Sequence, residues 1–194
     1  MSHTSRTTSH TTNNARTLRE RTAVAAAAVP AFEPLTATAA MVAHLPFDDA
    51  DARFVRGRIA ELVHPWHEVR TSDPLGRSIV HGDLHRANVV AGRTGPLLTD
   101  LELSGSGPSS FDAAPTVLAH RRYQLPASRL KAFLGGFGAD PRGWEGFETC
   151  VQVYELWAAA WAVGNRHKHP TWDREAAVRV AGLRDGDDRP WTLL

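Results

Sequence analysis

The chain has 194 residues, 42% of them hydrophobic and 22% charged, which is the balance of a globular protein with one real core. A net charge of +1 gives no electrostatic case for nucleic acid or for an anionic membrane as partner. The single cysteine, Cys150, excludes an internal disulfide and fits a reducing cytoplasm, and no apolar run approaches the ~20 residues that cross a bilayer.

Residues 1–22 are Ser, Thr, Asn, His and Arg with almost no apolar side chains, and they read as a disordered tail. A basic, hydroxyl-rich leader is the alternative for this stretch. Ala23 to Val29 is an apolar run, but it is short, rich in alanine and stopped by Pro30, which argues against an export signal. Residues 23–47 read as a connector and a helix, with Leu35, Ala39, Val42 and Leu45 at helical spacing. Asp48 and Asp51 are placed to cap a helix over about 50–63 whose apolar side is Ala52, Val55, Ile59, Leu62 and Val63. Pro65 and Pro74 then bracket an expected loop.

Next the period changes. Ile79-Val80, Asn88-Val89-Val90 and Leu97-Leu98-Thr99 are short β-like pieces, the last two an expected hairpin, and Ser104 to Ser110 reads as a Gly/Ser/Pro loop. Helices follow: one N-capped by Asp112, one marked by Leu130, Phe133, Leu134 and Phe137, a strong one over about 147–163 that stops at Gly164, and one over about 172–183. The class is therefore α+β, mostly α, as one unit over residues 23–194.

The chemistry concentrates in His81-Gly82-Asp83-Leu84-His85-Arg86-Ala87-Asn88 and in Asp100 after the next apolar run. An Asp, an Asn five residues on, and a second Asp past a short hairpin is the spacing of a kinase catalytic loop and its metal site. Phosphoryl transfer asks the protein for an aligned hydroxyl and for neutralised phosphate charge. Asp83 is placed to accept the hydroxyl proton. Asn88 and Asp100 offer oxygen ligands of the kind Mg²⁺ prefers.

On these residues, and on Asp100 to Glu102 and Phe111-Asp112, the chain resembles the aminoglycoside phosphotransferase family over about residues 30–194. The resemblance implies the C-terminal lobe of a protein-kinase-like fold, with a small antiparallel β element at the catalytic loop. It implies ATP as phosphoryl donor, Mg²⁺ as metal and a small-molecule hydroxyl as acceptor. It makes Asp83 the catalytic base, Asn88 and Asp100 the metal ligands, and Asp112 a brace of the loop backbone. His81 is expected to orient that backbone and His85 the site carboxylates. Glu102 and Glu155 are candidates for the acceptor pocket, Glu155 by its likeness to a family position there.

Three features depart from the family pattern. Leu101 stands where an aromatic residue is common, and Arg86 where a proline is common. No Gly-rich, Lys-containing segment precedes the loop: only Gly57 and Gly76 come before Gly82, and the two lysines, Lys131 and Lys168, follow it. The expectation is a truncated phosphotransferase, weakly active or inactive alone. An apolar surface near residues 23–47, left bare for a missing lobe, would then serve self-association or a partner. Two other classes stay open: a pseudokinase-like binding module, and a metal-dependent hydrolase using His81, Asp83, His85 and Asp100. A zinc site drawing on His64 and His67 is disfavoured, because His81 and His85 straddle a strand end rather than sharing a helix face.

Overall fold

Proline at the first turn and a run of small residues start helix α1, Pro34–Val42. The computed structural model describes residues 29–93 and 95–194, so the expected tail and the apolar run to residue 28 lie outside the described residues. Asp49, rather than Asp48 or Asp51, caps α2, Ala50–Ser72, by accepting from the Ala52 N–H. Asp51 is drawn off instead to Arg166, at 3.1 Å.

α2 also runs on through Pro65, where a loop was expected. Proline in a helix interior removes one backbone hydrogen bond and crowds the preceding turn. Here the apolar stripe outweighs that cost, because Leu62, Trp66 and Val69 are all buried on one face while Val63 is exposed. The Trp66 ring stands edge-on to Phe111 at 5.5 Å and to Phe32 at 6.0 Å.

Two two-stranded antiparallel sheets follow. β1, Arg77–Val80, pairs with β4, Gly105–Pro108, in the register Ile79↔Ser106. β2, Val89–Gly92, and β3, Gly95–Leu98, form the expected hairpin, with Val89 opposite Leu98. β4 falls in the expected loop. Its Gly-Ser-Gly-Pro sequence has little strand propensity, and tertiary contacts impose the extended form. Ser106 exchanges backbone bonds with Pro30 and Phe32, the Phe32 backbone passes close to Gly105, and its side chain lies against Gly107.

The helical layer is α3, Ala114–Arg122; α4, Ala127–Phe137; α5, Gly146–Asn165; and α6, Pro170–Asp185. α5 is the central member and packs against α1, α2, α3 and α6. Its near-continuous burial includes Cys150, whose thiol is pushed up by desolvation and has no reactive character. Gly164 lies inside the last turn of α5 rather than ending it. A Cβ there would meet the Met41 carbonyl oxygen at 2.4 Å, so the glycine allows α1 to approach.

In its described part, residues 29–47, the connector does not leave the bare surface expected of it. Phe32, Leu35 and Val42 are core residues, and of its large side chains Phe47 is the one fully exposed. Exposed apolar side chains occur instead on and after the hairpin, at Val90, Leu97 and Leu101. No helix among the described residues is long and apolar enough to cross a membrane.

Candidate active site

The loop after β1 turns sharply at Gly82, whose φ of +84° suits glycine. A Cβ at Gly82 would also lie 2.7 Å from the Phe32 ring. Asp112 holds this turn from below. It sits in a short 3₁₀ turn, Ser109–Ala113, and Ala113 rather than Asp112 occupies the N-cap of α3. The carboxylate of Asp112 accepts instead from the His81 N–H at 3.0 Å and the Gly82 N–H at 2.9 Å. Burial pushes its pKa up against the pull of these two donors.

His81 is fully buried, and both of its ring nitrogens are engaged inside the protein. Nδ1 accepts from the Asp83 N–H at 3.3 Å, so Nε2 carries the proton and donates to the Thr99 carbonyl at 2.9 Å. The ring thereby ties the loop to the end of the β2–β3 hairpin, next to Asp100.

Asp83 is the most heavily bonded side chain of the site. Its Oδ1 accepts from the Tyr154 hydroxyl at 2.5 Å. Its Oδ2 accepts from Asn88 Nδ2 at 3.2 Å and lies 3.3 Å from His85 Nε2. Burial opposes its charge, but the bond and charge of His85, with help from the Tyr154 bond, outweigh it and hold the carboxyl below its ordinary range. Tyr154 goes the other way: burial first, then the negative charge of Asp83, push its pKa well up, so it stays a hydroxyl donor.

Asn88 Nδ2 also donates to the Asp83 carbonyl at 2.9 Å. That spends its amide nitrogen on Asp83 and leaves Oδ1 for a further ligand. Asp100 adopts the left-handed backbone, φ +61°, which a short polar residue tolerates better than most. Its carboxylate is exposed. Asp83, Asn88 and Asp100 line one cavity of about 780 Å³, in the size range of small-molecule sites.

The structure also separates some of the expected residues from the site. Glu102 is exposed and does not line the cavity. Glu155 is buried outside it, bonded at 2.5 Å to Arg122, so its place beside the aromatic face leads to an ion pair and not to a pocket wall. His64 and His67 lie far along α2, exposed. Among the described residues, no group of three or more His, Cys, Asp or Glu side chains is placed to hold a metal ion.

Tyr154 was not anticipated as a site residue. Its signal was its spacing with Trp157 and Trp161, three and seven residues on, which reads as core. In the structure all three line the cavity, together with Phe133 and Leu125.

His85 supplies a direct check on this geometry. Burial lowers its pKa, but the bond and charge of Asp83, with the charge of Asp100, reverse that and raise it above 6.5. A raised folded value means that His85 contributes stability fully below about pH 6.5. The contribution is lost as pH rises through the folded value. Histidine titration by NMR is expected to give His85 a pKa above 6.5, moving back down in Asp83→Asn.

With the geometry in place, comparison with known proteins settles the family. The model of the phosphotransferase enzyme family matches residues 7–148. The chain belongs to this family. No curated protein sequence matches the chain. Among solved structures it is similar to a choline/ethanolamine kinase family protein from Mesorhizobium loti, at 15% identity and a TM-score of 0.61, over 92% of this chain and 61% of that one. It is also similar to the choline kinase LicA from Streptococcus pneumoniae, at 17% identity and a TM-score of 0.54, over 92% of this chain and 65% of that one. The chain thus spans less than two thirds of the length of either. These matches establish a protein-kinase-like fold, mostly helical with small antiparallel sheets, for this member of the phosphotransferase family.

Proposed function

We propose that this phosphotransferase-family chain transfers the γ-phosphoryl group of ATP to a hydroxyl of a small molecule, weakly when it acts alone. One observation carries the reading: an ionised, buried Asp83 shares a single cavity with the oxygen donors of Asn88 and Asp100. Asn88 Oδ1 and the Asp100 carboxylate are hard oxygen ligands that suit Mg²⁺ and would hold it. Magnesium bound there supplies charge neutralisation at the phosphates. Asp83 orients the acceptor hydroxyl and takes its proton, while Tyr154, Asn88 and His85 fix the carboxylate's position. Asp112 and His81 position the loop that carries it. A lone buried cysteine fits a cytoplasmic setting.

The LicA structure in complex with AMP, matched at 17% identity and a TM-score of 0.50 over 80% of this chain and 55% of that one, supports a nucleotide on this kind of lobe. Within residues 1–194 no lysine precedes Asp83, and in a kinase site of this type a lysine pairs with the α/β-phosphates. The domain proposal rests on the cavity shared by Asp83, Asn88 and Asp100: residues 23–194 act as the base-and-metal lobe. The hydrolase alternative loses ground because His81 spends both ring nitrogens internally. His85 does the same, through the Ala87 N–H and Asp83.

Calorimetry with Mg-ATP and a phosphotransfer assay over a panel of hydroxyl compounds test the proposal. Weak, Mg²⁺-dependent nucleotide binding and slow transfer are expected, with Asp100→Asn removing the Mg²⁺ dependence. Binding of a hydroxyl compound with no response to Mg-ATP at millimolar concentration would favour the binding-module reading instead.

A further inference from the structure

Arg86 puts a charge into the catalytic loop that the loop itself leaves unused. The loop is folded back on itself: the His85 N–H donates to the Asp83 carbonyl at 3.0 Å, and the Asn88 N–H donates to the His85 carbonyl at 3.1 Å. A short 3₁₀ turn, Arg86–Asn88, ends it, with His85 Nδ1 accepting from the Ala87 N–H at 3.2 Å. The side chains on either side of Arg86 are committed, His85 to the Ala87 N–H and Asp83, and Asn88 to Asp83. Arg86 stands between them, exposed, and lines the same cavity as Asp83, Asn88 and Asp100.

No carboxylate claims this guanidinium. Asp83 and Asp100 line the cavity, and so does Leu194, with its main-chain carboxylate. The Arg86 side chain makes no ion pair or hydrogen bond with any of the three, nor with any other described residue. Exposed arginines elsewhere in the chain settle on acids. Arg121 bonds Glu148 through two nitrogens, both at 2.7 Å, and Arg142 bonds Asp140 at 2.6 Å. The other arginines of the cavity wall differ from Arg86 in commitment or in place. Arg179 is spent on Glu175 and on the Ala158 and Thr192 carbonyls. Arg129 has no side-chain partner among the described residues, but it belongs to the first turn of α4 and not to the loop.

The chemistry of the loop gives such a cation a use. A hydroxyl oriented by Asp83 attacks the terminal phosphorus of the donor, and reacting atoms stand about 3–3.5 Å apart. The terminal phosphate then lies beside the Asp83 carboxylate, a like charge that repels it. A cation on the same loop offsets that repulsion. The planar guanidinium can pair two phosphate oxygens at once, and Arg86 has no existing partner to give up.

We infer that Arg86 is a phosphate-binding residue of this site and takes the terminal phosphate of a nucleoside triphosphate. The inference rests on the phosphotransferase reading for the identity of the ligand, but its test is one of binding. Calorimetry at constant Mg²⁺ measures inorganic tripolyphosphate, ATP and ADP on the full chain, on Arg86→Ala and on Arg86→Lys. The alanine variant is expected to bind tripolyphosphate and ATP about tenfold more weakly, the loss of one charge-assisted contact, and ADP within about twofold of the parent. The lysine variant should fall between, because an ammonium keeps the charge without the fork. The thermal midpoint of the alanine variant should match the parent's, since no intramolecular partner is lost. Absence of tripolyphosphate binding in the parent, equal affinities in parent and Arg86→Ala, an equal loss for ATP and ADP, or a lowered midpoint would each overturn the inference. Arg86-dependent binding with no transfer to any hydroxyl compound would uphold it and sink the phosphotransferase reading. Transfer with affinities unchanged in Arg86→Ala would do the reverse.

Discussion

Asp83→Asn is expected to lower phosphotransfer by about 10²–10⁴, the usual contribution of a positioned proton acceptor, while leaving the fold intact. The fold should survive because the new amide oxygen still accepts from Tyr154, which lies at 2.5 Å from Oδ1 in the parent chain. What disappears is the carboxylate that takes the hydroxyl proton. With it goes the negative charge that raises His85, so the two effects should appear together. The acid limb of stability should change as well. The Asp83 pKa is depressed below 3.8, so its contribution is present above that value and is lost as pH falls through the lower folded one. The variant should lack this last step of acid destabilisation. Turnover, histidine NMR and acid unfolding measure the three consequences. Unchanged turnover would remove Asp83 from the chemistry.

Asp112→Ala should give the largest loss of stability among the site residues. It removes the acceptor of two buried backbone N–H groups, those of His81 and Gly82. A buried donor left without a partner costs about 1–3 kcal/mol, so about 3 kcal/mol is a conservative total. In a chain of this size that lowers the thermal midpoint by roughly 6–12 °C. Asp112→Asn keeps one acceptor oxygen in place and should fall between the two. Asp112 holds the loop backbone without lining the cavity. The alanine variant should therefore also disorder the loop, seen as loss of the His85 shift before global unfolding. A midpoint within 1–2 °C of the parent would mean that solvent or a shifted backbone satisfies both donors.

The sequence was most legible where chemistry and periodicity coincide. The spacing of Asp83, Asn88 and Asp100 led to one cavity, and the 3.6-residue pattern of α4, α5 and α6 gave elements close to those observed. It was least legible where tertiary contacts override local preference. β4 is extended because Pro30 and Phe32 pair with Ser106, a partnership distant in sequence that no local pattern encodes. Pro65 stays helical because Trp66 and Val69 repay the lost hydrogen bond by burial. Glu155 was misplaced for a related reason. Its partner Arg122 sits 33 residues upstream, and only the folded chain shows that the pair faces the 187–192 segment instead of the cavity. Tyr154 looked like one more core aromatic, and only the position of its hydroxyl distinguishes it.

Phe32 touches three glycines at once: a Cβ at Gly82, Gly105 or Gly107 would come within 3 Å of it. Two of those glycines belong to β4 and one to the loop that presents Asp83. Invariance at these positions among relatives would therefore look like the signature of a phosphate-gripping glycine loop. It would instead record the room that the Phe32 side chain needs beside Gly82 and Gly107, and its backbone beside Gly105. An evolutionary score that ranks positions by invariance would place all three beside Asp83, and Phe32 with them, although none of the four lines the cavity.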